Sequence, residues 1–328
     1  MKLIKPDIKP NNINFSSGPT AKRPHWDISN LSNASVGRSH RSKICKDKLK
    51  FVIDKSKKIL NLPKDYLLGI MPASDTGALE ASLWGLLGQR GVDIFAWENF
   101  GNDWLIDLVE ELKIKDLNIY KTDYGKIPNL NQANFSRDVI FTWNGTTSGV
   151  KVPDSKWISD HREGLTICDA TSAIFAMPID FNKCDVLTWS WQKALGGEAA
   201  HGMLAISPNA VKRLETYRPS WPIPKTFRLA KNKKLISGIF EGSTINTPSM
   251  ICVEDAIDTL NWVETIGGLD ELIKRSNKSF NYISMWIKNS KNFEFIDSNE
   301  KTRSNTSITF KIKENWFIKK DLDEQKSI

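Results

Sequence analysis

The chain has 328 residues with 40% hydrophobic and 26% charged side chains, which predicts a globular protein with one large or two medium domains. Its net charge of +8 permits nucleic-acid binding, but the lysines are interleaved with acids and form no single basic block, so we expect no nucleic-acid partner. No run approaches the roughly 20 apolar residues that cross a bilayer and no signal-peptide core is present, so we expect a cytoplasmic protein without membrane contact.

Helix-like and strand-like patterns alternate along most of the chain. Apolar residues recur at helical spacing in residues 46–60, 76–88 and 101–113. Short apolar runs that predict strands occupy residues 66–74, 92–98, 117–123, 138–149, 164–175 and 184–193. Strands separated by helices predict an α/β fold, with a mostly parallel central sheet flanked by helices. In such sheets ligands bind outside the carboxyl ends of the strands.

The pattern changes near Glu254. An amphipathic helical stretch follows, and then a strand-like run at residues 303–313. We therefore predict a large α/β domain over residues 14–253 and a smaller C-terminal α+β domain over residues 254–328. The proline-rich stretch 217–227 is predicted to be irregular.

One predicted strand ends on a lysine. The run LTWSWQ leads to Lys193, and Gly196 and Gly197 follow. A desolvated lysine has a lowered pKa and can form a Schiff base with an aldehyde, as pyridoxal phosphate (PLP) requires. PLP also needs a carboxylate at its pyridine nitrogen, and Asp169 lies one β-α-β step before the lysine.

Other strand ends carry residues that suit the same cofactor. Asp75 and Thr76 stand where a helix begins, and a helix N-terminus can bind a phosphate. Phe100 could stack on a cofactor ring. Each residue also has a structural interpretation: Lys193 as a surface lysine, Asp169 as a helix cap, Phe100 as a core residue. Their combination at the strand ends of one sheet favours the cofactor site.

Six motifs, in order, carry a resemblance to a known family. They are FSSGPTAKRP, GRSHRSK, FTWNGTTSGV, ICDATSA, SWQKALGGEAAHG and FEGSTINTPSM. Together they closely resemble the phosphoserine aminotransferases of the type found in many α-proteobacteria, which are PLP-dependent enzymes of fold type I. The resemblance extends from about Asn14 to Lys311.

The resemblance implies an activity and an assembly. Family members transfer the amino group of glutamate to 3-phosphohydroxypyruvate, giving O-phosphoserine and 2-oxoglutarate in serine biosynthesis. Many also act on a phosphorylated 2-oxo acid of pyridoxine biosynthesis. The resemblance further implies a homodimer with its active site at the subunit interface. Separately, the four cysteines lie far apart with no CxxC pair, so we expect no metal site.

The resemblance also assigns roles to individual residues. Lys193 is implied to be the Schiff-base lysine and general base, and Asp169 the partner of the pyridine nitrogen. The other implied contacts are Gln192, Asp75 and Thr76 at the cofactor phosphate, Thr146 near the ring hydroxyl, Phe100 on the ring face, Asn246 and Thr247 at the phosphate of the neighbouring subunit, and His40 and Arg41 at the substrate anion. His201 is interpreted as a structural histidine that supports the lysine loop, which is the stretch that follows Lys193 in the motif SWQKALGGEAAHG.

Several alternatives stay open. The chain could be another fold-type I enzyme, such as a serine–glyoxylate transaminase or a cysteine desulfurase, although none of the four cysteines has the context of a reactive loop. It could be a nucleic-acid-binding protein on a vestigial PLP fold. It could also be a truncated, inactive form, because relatives supply a late arginine for the substrate carboxylate and the last arginine here is Arg303. We therefore expect an incomplete small domain, with PLP binding retained and weak transamination.

Overall fold

The computed structural model describes residues 18–327, so the predicted domain start at Asn14 and residues 15–17 of the first motif lie outside the described residues. The helices are α1 (Lys43–Leu60), α2 (Ser74–Leu86), α3 (Asn99–Ile106), α4 (Pro208–Thr216), α5 (Met250–Thr265), α6 (Gly268–Asn289), α7 (Asn315–Ile318) and α8 (Leu322–Ser327). The strands are β1 (Leu67–Pro72), β2 (Val92–Ala96), β3 (Leu117–Lys121), β4 (Asp138–Thr142), β5 (Asn144–Gly145), β6 (Val150–Lys151), β7 (Thr166–Asp169), β8 (Val186–Ser190), β9 (His201–Ile206), β10 (Ala230–Lys231), β11 (Lys234–Leu235), β12 (Phe293–Phe295) and β13 (Phe310–Ile312). Among the described residues, no helix combines the length and the apolar character needed to cross a bilayer.

A seven-stranded sheet forms the centre of the molecule, in the order β1-β9-β8-β7-β4-β2-β3. Strands β3, β2, β4, β7 and β8 pair in parallel, whereas β9 runs antiparallel to both β8 and β1. The predicted α/β fold with a mostly parallel sheet is therefore confirmed. Because β9 is antiparallel to both neighbours, β1 points the same way as β8, and the carboxyl ends of β1, β2, β4, β7 and β8 share one edge of the sheet.

Both faces of the sheet are covered by helices. On β4, Val139 and Phe141 face a core that they share with α1 and α5, whereas Ile140 between them faces a core that it shares with α2 and α4. Successive side chains of a strand point to opposite faces, so a strand covered on both sides becomes an almost continuous apolar run. This explains why the sheet strands could be recognised in the sequence.

Helix α1 shows how local sequence sets the helix ends. The side chain of Ser42 accepts a hydrogen bond from the Cys45 amide at the start of the helix. Asn61 ends it in the left-handed conformation, with φ of 50°. Lys57 and Lys58 lie in the last turn, where positive charge stabilises the helix dipole.

The described chain before α5 is the sheet region, and the chain from α5 to α8 is the C-terminal region. Helix α5 joins the two. The inner face of α5, including Val253 and Leu260, is part of the core on the α1 side of the sheet. The predicted boundary at residue 254 falls within this helix, and the division into 14–253 and 254–328 stays a prediction. Beyond α5, the long helix α6 packs against the two-stranded sheet of β12 and β13.

The predicted strand at residues 303–313 is wrong over most of its length, because only β13 at its end is a strand. The Ser304 hydroxyl accepts hydrogen bonds from the amides of Thr306 and Ser307, which folds this stretch into a turn. The Ser304 amide donates to the Gly149 carbonyl, so the turn is fastened to the sheet region.

Candidate active site

Five residues predicted for the site stand where sheet strands end or just beyond. Asp169 is the last residue of β7, and Lys193 follows β8. Thr146 follows β4, while Asp75 and Phe100 lie in the first turns of α2 and α3, directly after β1 and β2. The parallel sheet therefore gathers them along one edge, as the strand pattern predicts.

The side chain of Lys193 is partly buried. Its Nζ lies 3.3 Å from the carbonyl oxygen of Gly18. Burial lowers the pKa of the Lys193 amine, and the nearby Asp169 and Asp75 carboxyls oppose that effect. A larger fraction of this amine is consequently neutral and nucleophilic than in an exposed lysine.

The N-terminal segment of the described chain packs over the lysine loop. The Thr20 amide donates to the Gln192 carbonyl at 2.8 Å, and the Thr20 hydroxyl donates to the carbonyl of Lys193. Gly196 has φ of +68°, and a Cβ there would lie 2.5 Å from the Ala21 carbonyl oxygen. Gly196, three residues after Lys193, therefore permits both a left-handed turn and this close approach of the Ala21 carbonyl.

Asp169 is buried and fixed on both carboxylate oxygens. Its Oδ1 accepts a hydrogen bond from the Thr171 amide at 2.9 Å, and its Oδ2 accepts one from the Trp104 indole at 3.2 Å. The neighbouring Asp75 is also buried. Burial, and secondarily the charge of Asp169, raise the pKa of Asp75 well above its usual value.

The first residues of α2 adopt an unusual backbone conformation. Ala73 and Ser74 have φ of 62° and 52°, in the left-handed region that non-glycine residues seldom occupy. The Ser74 amide donates to the Ala200 carbonyl, and Gly202 on β9 packs so closely that a Cβ would lie 2.1 Å from the Ser74 carbonyl oxygen. This packing presents the exposed Thr76 and the positive end of the helix at the sheet edge.

A chain of polar side chains leads from Thr146 to the C-terminal region. The hydroxyl oxygens of Thr146 and Ser172 are 2.7 Å apart. The Asn144 amide donates to Ser172 Oγ at 2.8 Å and to Thr306 Oγ1 at 3.1 Å. The sheet edge and the turn at residues 304–307 are thus joined through hydrogen bonds.

A cavity of about 650 Å³ opens beside Lys193. Thr146, Ser172 and Phe175 contribute to its wall from the sheet region. Residues 20–24 form another part of the wall, and α5, α6 and residues 305–309 contribute the rest. The cavity therefore lies between the sheet edge and the C-terminal region.

The structure does not bring every predicted residue to this cavity. Asn246 and Thr247 lie on the loop before α5, with the Asn246 carbonyl accepting from Thr244 Oγ1 at 2.7 Å. His40 and Arg41 precede α1 and likewise do not line the cavity. Phe100 is exposed and lies outside the lining. Four further predicted residues also lie outside it: the buried Asp75 and Asp169, the exposed Thr76 and the partly buried Gln192.

Three neighbours of the site were not found from the sequence. Trp104 lies four residues after Phe100, one helical turn further along α3, and this spacing could have indicated it. Ser172 is part of the same short run as Asp169. Glu98 had no signal: it is buried, its Oε1 accepts from the Gly101 amide at 2.6 Å, and burial raises its pKa.

His201 packs beneath the lysine loop. Its Nε2 accepts a hydrogen bond from the Ser249 amide at 3.1 Å, and its ring centre lies 5.1 Å from that of Trp191. Burial lowers the pKa of His201 to about 4, so the ring is neutral at physiological pH.

Comparison with known proteins places this geometry among aminotransferases. The family model "Aminotransferase class-V" matches residues 133–328. A phosphoserine aminotransferase of Methanosarcina mazei is 53% identical over 323 residues, covering 98% of this chain and 85% of the relative. The crystal structure of a phosphoserine aminotransferase from Cytophaga hutchinsonii aligns with a TM-score of 0.75 at 20% identity, covering 87% of this chain and 78% of that one. An alanine–glyoxylate aminotransferase from Nostoc aligns with a TM-score of 0.77 at 16% identity, over 95% of this chain and 83% of that one.

Proposed function

The chain belongs to the phosphoserine aminotransferase family, among the class-V aminotransferases, and we propose that the cavity beside Lys193 is where it carries out the family's reaction. It is a PLP-dependent aminotransferase that passes the amino group of glutamate to 3-phosphohydroxypyruvate, giving O-phosphoserine and 2-oxoglutarate. The location is supported by the position of Asp169 at the end of β7 and of Lys193 just after the neighbouring parallel strand β8, with Lys193 lining a cavity. The identity of 53% to a phosphoserine aminotransferase favours this reaction over that of a serine–glyoxylate transaminase.

The residues beside Lys193 fit PLP. Two buried side-chain atoms, Gln192 Oε1 and Asp75 Oδ1, have no hydrogen-bond partner within residues 18–327. Buried polar atoms are normally paired, so these two favour a polar group in the site. When bound there, PLP supplies an electron sink that stabilises negative charge at the substrate Cα.

Lys193 has two roles in this proposal. Its amine holds the cofactor covalently until the amino-acid substrate takes its place, and the lowered pKa favours the neutral amine that this requires. Once free, the Lys193 Nζ accepts the proton of the substrate Cα. The contact between Nζ and the Gly18 carbonyl keeps the amine at the cavity.

Asp169 would keep a proton on the pyridine nitrogen of the cofactor. Its carboxylate is oriented by the Trp104 indole and the Thr171 amide, so it needs little rearrangement when the cofactor binds. Thr146, held by Ser172, would orient the ring hydroxyl, and Phe100 would lie on the ring face.

The start of α2 would hold the cofactor phosphate, with Thr76 and Gln192 as side-chain donors. The positive end of a helix attracts an anion. A charged aspartate here would repel a phosphate, but burial raises the pKa of Asp75 well above its usual value, which favours the neutral carboxyl that can donate a hydrogen bond. The unpaired Oδ1 of Asp75 supports this assignment, because a protonated carboxyl can donate to a phosphate oxygen.

Lysine labelling tests the proposed location. Borohydride reduction of the PLP-loaded protein should fix the cofactor to the peptide that contains Lys193. Lys193→Ala should lose the label and about 10²–10⁴-fold or more in turnover of phosphoserine, the usual range for a general base. Lys212→Ala, an exposed lysine on α4, is the matched control and should keep both. Recovery of the label on another lysine contradicts the proposal.

A homodimer would give a role to four predicted residues that lie on loops. Asn246 and Thr247 precede α5, and His40 and Arg41 precede α1, and we propose that all four complete the site of a neighbouring subunit. Arg41 would bind the substrate anion through two parallel N–H groups, with His40 beside it.

Mixed dimers test this arrangement. Chains with Lys193→Ala and chains with the pair Asn246→Ala and Thr247→Ala should each be inactive alone. A dimer of one chain of each kind has one intact site, so co-expression should restore measurable turnover. No activity in purified mixed dimers contradicts a shared site.

Three finer expectations remain proposals. The second substrate from pyridoxine biosynthesis requires a direct assay, and the α-proteobacterial subtype stays a prediction. A cytoplasmic location agrees with the four free cysteines, which suit a reducing compartment.

A further inference from the structure

The wall of the Lys193 cavity is positively charged. Lys22, Arg23 and Arg275 line it together with Lys193, and none of the lining residues within 18–327 is an aspartate or a glutamate. Such a wall attracts anions. The three additional cations differ, however, in whether their charge is already balanced.

Lys22 and Arg23 are committed to α5 and its surroundings. Lys22 Nζ lies 2.8 Å from Asp255 Oδ2 and 2.7 Å from Glu198 Oε1. Arg23 forms a two-point contact with Asp258, at 2.7 Å through Nε and 2.8 Å through Nη2. These two cations fasten the segment before α1 to α5, so little of their charge is left for a substrate.

Arg275 has no carboxylate partner among the described residues. It lies on α6, and its guanidinium carbon is 5.5 Å from the centre of the Trp262 ring, which also lines the cavity. A cation–π contact with an aromatic ring uses the charge of the guanidinium but none of its hydrogen bonds, so its N–H groups remain available. The side chain is exposed, so it can meet a ligand without first losing an ion pair.

We propose that Arg275 binds an oxyanion of the amino-acid substrate in this cavity. The inference rests on the proposed function, since it assumes that the cavity receives glutamate and phosphoserine. Each of these amino acids carries an α-carboxylate and a second anion, a carboxylate or a phosphate. A guanidinium edge binds carboxylate and phosphate through the same pair of parallel hydrogen bonds, so the test must separate the two groups.

The main test compares Arg275→Gln with Lys278→Gln. The control removes the same charge from the same helix, at a side chain that does not line the cavity. With PLP bound in both variants, the phosphoserine concentration for half-conversion to the pyridoxamine form should rise about 10- to 100-fold in Arg275→Gln, as expected for one lost charge-assisted contact. It should stay within about twofold of the parent in Lys278→Gln, and Arg275→Lys should fall between the two.

Probes with one kind of anion identify the group that is bound. Calorimetric titrations use glutarate and inorganic phosphate, which cannot react, and half-reactions use glutamate. Weaker glutarate and glutamate binding in Arg275→Gln with unchanged phosphate binding assigns a carboxylate. Weaker phosphate and phosphoserine binding alone assigns the phosphate group.

Failure of this inference can be told apart from failure of the proposed function. If the parent protein converts phosphoserine and Arg275→Gln matches Lys278→Gln for every probe, Arg275 is a surface residue that only stacks on Trp262, and the inference is overturned. If the PLP-loaded parent does not convert phosphoserine, the proposed function fails. The titrations with unreactive anions still decide the role of Arg275 in that case.

Discussion

The sheet region and the C-terminal region differ in how completely their apolar side chains are covered. Every residue of β2, β4 and β8 is buried. In contrast, β12 is only partly buried, and on α6 the side chains of Tyr282, Met285 and Trp286 are 75%, 57% and 51% exposed. The residues proposed to hold the cofactor belong to the well-packed region, whereas Arg275 belongs to the more exposed one.

This difference suits the separate tasks of the two sides of the cavity, one of which would hold the cofactor and the other the substrate. Cofactor chemistry needs Lys193 and Asp169 at fixed positions, and close packing on both faces of a sheet supplies that rigidity. Substrates that alternate between glutamate and phosphoserine need a wall that can adjust. The two regions meet where the Thr306 hydroxyl donates to the Ser172 carbonyl at 2.8 Å, within the polar chain that starts at Thr146.

The comparison between the sheet region and the C-terminal region is tested most strongly by replacing one tryptophan in each region. Trp189 on β8 is fully buried, so Trp189→Ala should lower the free energy of unfolding by about 3–5 kcal/mol. Trp286 packs against Phe293 at 4.9 Å between ring centres but is half exposed, so Trp286→Ala should cost about 1–2 kcal/mol. Urea unfolding followed by circular dichroism at neutral pH measures both values.

The two tryptophan substitutions should also differ in their effect on cofactor binding. Trp189 lies on the strand that leads to Lys193, so its replacement should weaken PLP binding as well as stability, while Trp286→Ala should leave PLP binding unchanged. Equal losses of stability in the two variants would show that the C-terminal region is as tightly integrated as the sheet, and the comparison would then be wrong.

The parts of the fold that were predictable have strong local signals. Strands β1, β2, β4, β7 and β8 are short, largely apolar runs, and Lys193 and Asp169 are conspicuous because polar residues end such runs. In contrast, β9 was missed although all of its residues are buried, since it follows the glycine-rich lysine loop without an intervening helix. Its antiparallel direction depends on pairing with β1 and β8, which no local pattern reveals.

Features that depend on distant contacts could not be predicted. The stretch 303–309 has strand-like composition, but the Ser304 hydroxyl and the contact with Gly149 fold it into a turn. The raised pKa of Asp75 arises first from burial and then from the charge of Asp169, which is far away in the sequence. Within residues 18–327 Arg275 has no carboxylate partner, whereas its cavity neighbours Lys22 and Arg23 are paired, and these pairings likewise join segments that are far apart in the sequence.

The last expected effect concerns the junction between the two regions and depends on pH. His201 begins β9, and its Nε2 accepts the Ser249 amide at the start of α5. Burial lowers the pKa of His201 from 6.5 to about 4, so between these two pH values the unfolded chain binds a proton that the folded chain does not. The free energy of unfolding should therefore fall as the pH drops from 6.5 towards 4, by at most about 3 kcal/mol from this group.

His201→Gln isolates this contribution, because glutamine can still accept the Ser249 amide but does not titrate. The variant should be somewhat less stable than the parent at pH 7, where the packing of the imidazole against Trp191 is lost. As the pH is lowered to 4.5, the difference should shrink or reverse, since only the parent loses stability through the histidine. Unfolding curves at several pH values measure this difference, and a constant gap between the proteins would show that His201 has an ordinary pKa. A reversal would show instead that the junction between the sheet and α5 depends on a neutral imidazole.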